Sequence, residues 1–130
     1  MTVAFGAPPV DQGAWTAYTP TVTALAGSMD TSTAAGRYLK IGKTVFWSAL
    51  VTVSGTITAT GFFITLPVNT VAGTFIAVGA GLDTTSGVHV SAFANIAGAG
   101  RATMYNTSTG VNFVPTTGQN VQINGTYESA

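Results

Sequence analysis

The sequence predicts an all-β fold: a single antiparallel β-sandwich, jelly-roll-like, with eight or nine strands and an extended N-terminal arm. Three observations carry this expectation. Thr, Val, Ile and aromatic residues dominate, whereas Glu, Lys, Leu and Arg, the good helix formers, are scarce. Apolar residues alternate with period two in several windows, and none shows the i, i+3, i+4, i+7 spacing of a capped helix. Turn signals such as "SG", "NTSTG" and "TTGQN" recur at the spacing of a sandwich or barrel, with no βαβ alternation.

Taken in order, the chain divides into an arm over 1–14 and a β-sandwich domain over 15–130. The arm, "MTVAFGAPPVDQGA", pairs Pro8 with Pro9 and lacks strand-length alternation. Val3, Phe5, Pro8, Pro9 and Val10 are its expected partner-binding residues; folding back onto its own domain is the alternative. "WTAYTPTVTAL" reads as the first strand. "GRYLKI" and "KTVFWSALVTVS" read as a hairpin around Gly42-Lys43, where a leading glycine suits a type II′ turn. In its second strand Val45, Trp47, Ala49, Val51 and Val53 share one face, opposite Phe46, Ser48, Leu50, Thr52 and Ser54.

"GFFITLP" follows, with Phe62, Ile64 and Leu66 on one face and Pro67 ending the strand. "TFIAVGAGL" places Ile76, Val78, Ala80 and Leu82 together. "GVHVSAFANI" sets Val88, Val90, Ala92, Ala94 and Ile96 against His89, Ser91, Phe93 and Asn95. "RATMY", "VNFV" and "NVQINGTYE" complete the set.

Charge narrows the function. The chain has 130 residues, long enough for one core, yet only 6% are charged, against about 25% in a typical soluble domain. Arg37, Lys40, Lys43 and Arg101 balance Asp11, Asp30, Asp83 and Glu128, for a net charge of zero. So few charges protect a free monomer poorly against association, which points to a homo-oligomer or larger assembly. Abundant Ser, Thr, Gly and Asn give a surface that is polar without being charged. The absence of a basic stripe argues against nucleic acid. There is no cysteine, hence neither disulfide nor thiolate metal site. The N-terminus lacks the charge and apolar run of a secretory signal. No run approaches the ~18 apolar residues of a membrane-spanning helix, so no membrane insertion is expected.

Candidate chemistry is thin. "GRYLKIGKT" imitates a phosphate loop, but five residues separate Gly36 from Gly42 where such a loop has four, and a strand follows where a helix is needed. Arg37, Lys40 and Lys43 remain as a possible surface patch for an acidic surface or glycan. His89 is the only histidine, with no GxSxG elbow, and reads as a neutral strand residue. The four carboxylates fall in the arm, in loops or at the chain end, so neither a metal site nor a glycosidase pair is expected. Trp15, Tyr18, Tyr38, Trp47, Tyr105 and Tyr127 suit core or interface packing, with sugar stacking as the alternative. The sequons at Asn106 and Asn124 matter only in a secretory pathway.

One further pattern concerns order. "WTAYTPTVTA", "GRYLKIGKTVFWSALVTVSG", "ITLPV" and "INGTYES" follow one another along residues 15–130. Together they resemble a β-rich domain of tailed-bacteriophage virion exterior proteins, often found at the C-terminal end of minor tail or tail-fibre proteins. The resemblance implies a structural, often trimeric module on the particle exterior, with no catalytic residues and no cofactor to carry over. With its start at Met1 and only a short arm ahead of the domain, the chain resembles instead a free-standing capsid decoration (cement) protein, which commonly forms trimers that bridge capsomers. The implied partners are its own copies, a major capsid protein or other virion proteins. A tail-fibre receptor-binding module recognising a host surface glycan or protein is the alternative.

Overall fold

The computed structural model describes residues 14–29, 31–71, 76–94 and 100–130. Among them there is no helix and there are nine strands. These are β1 (Thr16–Tyr18), β2 (Val22–Ala24), β3 (Thr33–Ile41), β4 (Thr44–Thr52), β5 (Phe62–Thr65), β6 (Ile76–Asp83), β7 (His89–Ala94), β8 (Arg101–Asn106) and β9 (Asn120–Glu128). All pairings are antiparallel, within one sheet of order β1-β3-β4-β9-β6-β7-β8-β5-β2.

This corrects the expected jelly-roll sandwich. Hydrogen bonding runs unbroken through all nine strands, so one sheet curls into a half-barrel instead of two sheets stacking. The reason lies at Pro20. "WTAYTPTVTAL" is not one strand, because proline cannot donate to a ladder and holds the preceding residue extended. The run splits into β1 and β2, which pair with β3 and β5 at opposite edges of the sheet. Laid flat, nine strands would separate those edges by roughly 38 Å. The three residues between β1 and β2 allow at most about 14 Å. The sheet must curl to bring its edges together. Tyr18 and Thr65 span the closure, the Tyr18 hydroxyl on β1 donating to the Thr65 carbonyl at the end of β5 (3.4 Å), while the Thr65 amide and Oγ1 bond the Thr21 carbonyl (3.1 Å) and amide (2.9 Å) to extend the β2–β5 ladder.

The inner wall of the curl is the core. Val45, Trp47, Ala49, Val51 and Val53 are buried, as the alternation requires, together with Phe62, Ile64 and Leu66, and Val90, Ala92 and Ala94. Each large side chain so buried contributes about 1.5–3 kcal/mol. Ile96 and Asn95 lie outside the described residues. The β3–β4 turn also matches expectation: Gly42 has φ 59° and Lys43 is not left-handed, as a type II′ turn needs.

Three strand readings need correction. β3 begins at Thr33, three residues before "GRYLKI". "VNFV" is no strand: Asn112 makes a lone bridge to Tyr105 before Pro115, while Phe113 packs edge-on against Phe62 at 6.2 Å. In β6 the alternation slips, because Val78 is an extra residue between the pairs Ala77–Phe93 and Gly79–Ala92. A bulge moves every later side chain to the other face. Ala80 and Leu82 therefore turn outward, and Asp83 turns inward.

Candidate functional site

Residues 1–13 and Asp30 lie outside the described residues, and with them Val3, Phe5, Pro8, Pro9, Val10 and Asp11. The remaining candidates are spread over the molecule. Arg37 pairs with Ser48 and Lys40 with Val45, so the two basic side chains stand on opposite faces of the sheet. Lys43 is exposed in the turn between β3 and β4. The basic trio forms no common patch, and Arg37 alone belongs to the outer face, where its guanidinium sits 4.8 Å from the Trp15 ring centroid.

The titratable groups do not converge either. His89 is exposed on the outer face of β7, consistent with a strand histidine. Asp83, expected in a loop, ends β6 and is fully buried. Its carboxylate accepts from the Thr85 amide (3.0 Å) and the Ser86 hydroxyl, organising the turn into β7. Among the described residues no three His, Cys, Asp or Glu come together as a metal site.

Most of the singled-out aromatics face inward. Trp47 is buried and its Nε1 donates to the Val78 carbonyl at 2.9 Å. Tyr18 and Tyr38 meet edge to face at 5.9 Å. The Tyr127 hydroxyl donates to the Val68 carbonyl (2.6 Å) and accepts from its amide (3.3 Å). Burial pushes the Tyr127 phenol up to about 12, and pushes Tyr18 up further.

What the fold does assemble is an outer face spanning β1, β3, β4, β9 and β6. Register aligns its side chains in rows: Arg37, Ser48 and Asn124 form one, and Ala35, Leu50 and Gln122 the next. A depression of about 500 Å³ lies over these rows, bordered by Ala17. A second, of about 310 Å³, shares Arg37, Ser48 and Asn124 and reaches Trp15, Phe46 and Thr126. Exposure is high for the large apolar residues here: Trp15 43%, Ile41 41%, Leu50 38% and Phe46 37%. The period-two alternation already puts Phe46 and Leu50 on the off-core side of β4. Two large apolar residues on a nominally polar face were the available signal.

A separate recess of about 280 Å³ lies on the outer face of β7 and β8. Phe93 and Tyr105 meet there edge to face at 5.6 Å, and the Ser91 and Thr107 hydroxyls are 2.7 Å apart. No protein-family model, curated protein or solved structure matches this chain.

Proposed function

We propose that this chain is a non-enzymatic structural protein of a bacteriophage virion exterior, a homotrimeric capsid decoration protein that stabilises the particle by bridging capsomers. The supporting observation is the outer face of β3 and β4, where Ile41, Phe46, Leu50 and Trp15 are exposed on a chain with only 6% charged residues. An antiparallel sheet with one wall in water ordinarily turns polar side chains outward. Four large apolar residues exposed on one face with little charge favour contact with another protein surface. The curled sheet supplies a stiff knob, and the N-terminal segment, with Val3, Phe5, Pro8, Pro9 and Val10, is assigned the contact with neighbouring virion proteins. The order of motifs along residues 15–130 supports the phage setting.

Copy number in purified particles tests the reading by quantitative mass spectrometry against the major capsid protein. Hundreds of copies per particle are expected of a decoration protein. A few to a few dozen would move the chain to the tail. There the second reading, a receptor-binding module for a host surface glycan, draws on the Phe93–Tyr105 recess with its hydroxyl-bearing rim. Aromatic rings beside hydroxyl and amide groups suit the apolar and polar faces of a sugar.

A further inference from the structure

We propose that the outer face of β1, β3, β4, β9 and β6 is occupied by a second copy of this chain, with the β4 strands nearest the symmetry axis. The inference deepens the homotrimer reading and rests on it.

The topology makes β4 the central strand of this face, with β3 and β1 on one side and β9 and β6 on the other. An axis running along β4 therefore brings the β3 side of one subunit against the β9 side of the next. The outward residues of β4 are Thr44, Phe46, Ser48, Leu50 and Thr52, so Phe46 and Leu50 stack as two apolar layers around the axis, with Ser48 between them. Trp15 and Ile41 extend the apolar surface on the β3 side.

Register also fits the polar groups. Arg37, Ser48 and Asn124 share a row, so an axis along β4 sets Arg37 level with Asn124 of the partner subunit. Arg37 carries only donors, and an amide carbonyl is a suitable acceptor. Among the described residues Arg37 has no ion pair, and the Ser48, Gln122 and Asn124 side chains make no hydrogen bond. Stacking on Trp15 holds the Arg37 guanidinium in place, which lowers the entropy lost when it is captured.

Five strands, β4 itself being nine residues long, cover roughly 19 Å by 30 Å, near 570 Å² as a plane. A trimer divides that face between two neighbours, so each contact is small beside the about 800 Å² per partner of a standard interface and rests on the few residues nearest the axis. Trp, Phe and Arg are also the residue types that concentrate binding energy. A sugar is the weaker occupant, since Arg37 already lies over the Trp15 ring.

Light scattering with size-exclusion chromatography on the full chain tests this at micromolar concentration. Phe46→Lys and Leu50→Lys alter exposed positions, so circular dichroism should match wild type while the trimer falls to monomer. Val111→Lys, at a position 62% exposed off this face, should leave the trimer intact. The chain has no cysteine, so Ser48→Cys introduces its only thiol. Mild oxidation should then link two subunits through β4, whereas Val111→Cys should not cross-link. An oligomeric wild type unaffected by both lysine variants, with no Ser48→Cys cross-link, would overturn the face and leave the trimer standing. A monomeric wild type would remove the trimer and this face together. Trp15-dependent binding on a glycan array, with the lysine variants still trimeric, would reassign the face to a saccharide.

Discussion

The indole Nε1 of Trp47 donates to the carbonyl of Val78, 31 residues away, at 2.9 Å. Val78 is the extra residue of the β6 bulge, so this bond ties the central strand of the outer face to the one irregularity in the β6–β7 ladder. Trp47 is 1% exposed and lies over Gly79, at which an added Cβ would stand 3.1 Å from its Cζ2. Trp47→Phe keeps most of the ring volume but leaves a buried carbonyl without its donor, a loss of about 1–3 kcal/mol. Trp47→Ala adds a cavity and should cost about 3–5 kcal/mol. Urea unfolding followed by circular dichroism reads both. Equal losses for the two variants would mean that the hydrogen bond, and not ring packing, dominates.

A second consequence concerns Gly125. A Cβ there would lie 2.0 Å from the Val78 carbonyl oxygen, a backbone atom with no flexible end to yield. Gly125→Ala must push β9 away from the bulge, breaking the Trp47–Val78 contact with it. The expected loss exceeds the usual 1–3 kcal/mol of overpacking. Gly87→Ala is the comparison. Its φ of 79° strains an alanine, but nothing lies within 4 Å of an added Cβ, so the cost stays near 1 kcal/mol. Thermal melts that rank the two variants in the opposite order would remove the steric argument.

Alkaline pH should act through the tyrosines on the inner wall. Burial raises the Tyr127 phenol from 10.0 to about 12, and the Tyr18 phenol is raised as well. A group whose folded pKa lies above its unfolded value binds its proton more tightly when folded. Its stabilisation is complete below pH 10 and is lost as pH climbs through about 12. Unfolding free energy should therefore be flat through neutral pH and fall steeply over that window. Tyr127→Phe removes one phenol and should make the fall shallower, while lowering the plateau by about 1 kcal/mol for the lost Val68 bonds. Parallel pH profiles for wild type and variant would refute the assignment.

Much of the fold is local in origin and was therefore legible. The run from Val45 to Val53 carries its period in consecutive residues, and Gly42 announces its turn by needing a positive φ. Pairing is not local. Nothing within "WTAYTPTVTAL" says that its halves join opposite edges; that follows only once β3 and β5 are known as their partners. The bulge at Val78 is likewise invisible in "FIAVGAGL", because it exists only against β7. The splitting of the basic trio was readable: Arg37 and Lys40 are three apart, an odd separation, which in a strand means opposite faces.

Asp83 is a fully buried carboxylate at the end of β6. The bulge turns it inward, and a buried carboxylate is tolerated only when its lone pairs are used. Here the Thr85 amide and Ser86 hydroxyl use them, while the Asp83 backbone bonds to Gly87 and Val88 to shape the turn. Asp83→Asn retains one carbonyl acceptor for the Thr85 amide, and the Ser86 hydroxyl can rotate to accept from the new amide. Asp83→Val removes both acceptors and strands two donors at the end of the core. The valine variant should lose about 1–3 kcal/mol more than the asparagine variant. Amide hydrogen exchange at Thr85 should be fast in Asp83→Val and near wild type in Asp83→Asn. Fast exchange in both would mean that the turn depends on the full carboxylate and not on a single acceptor.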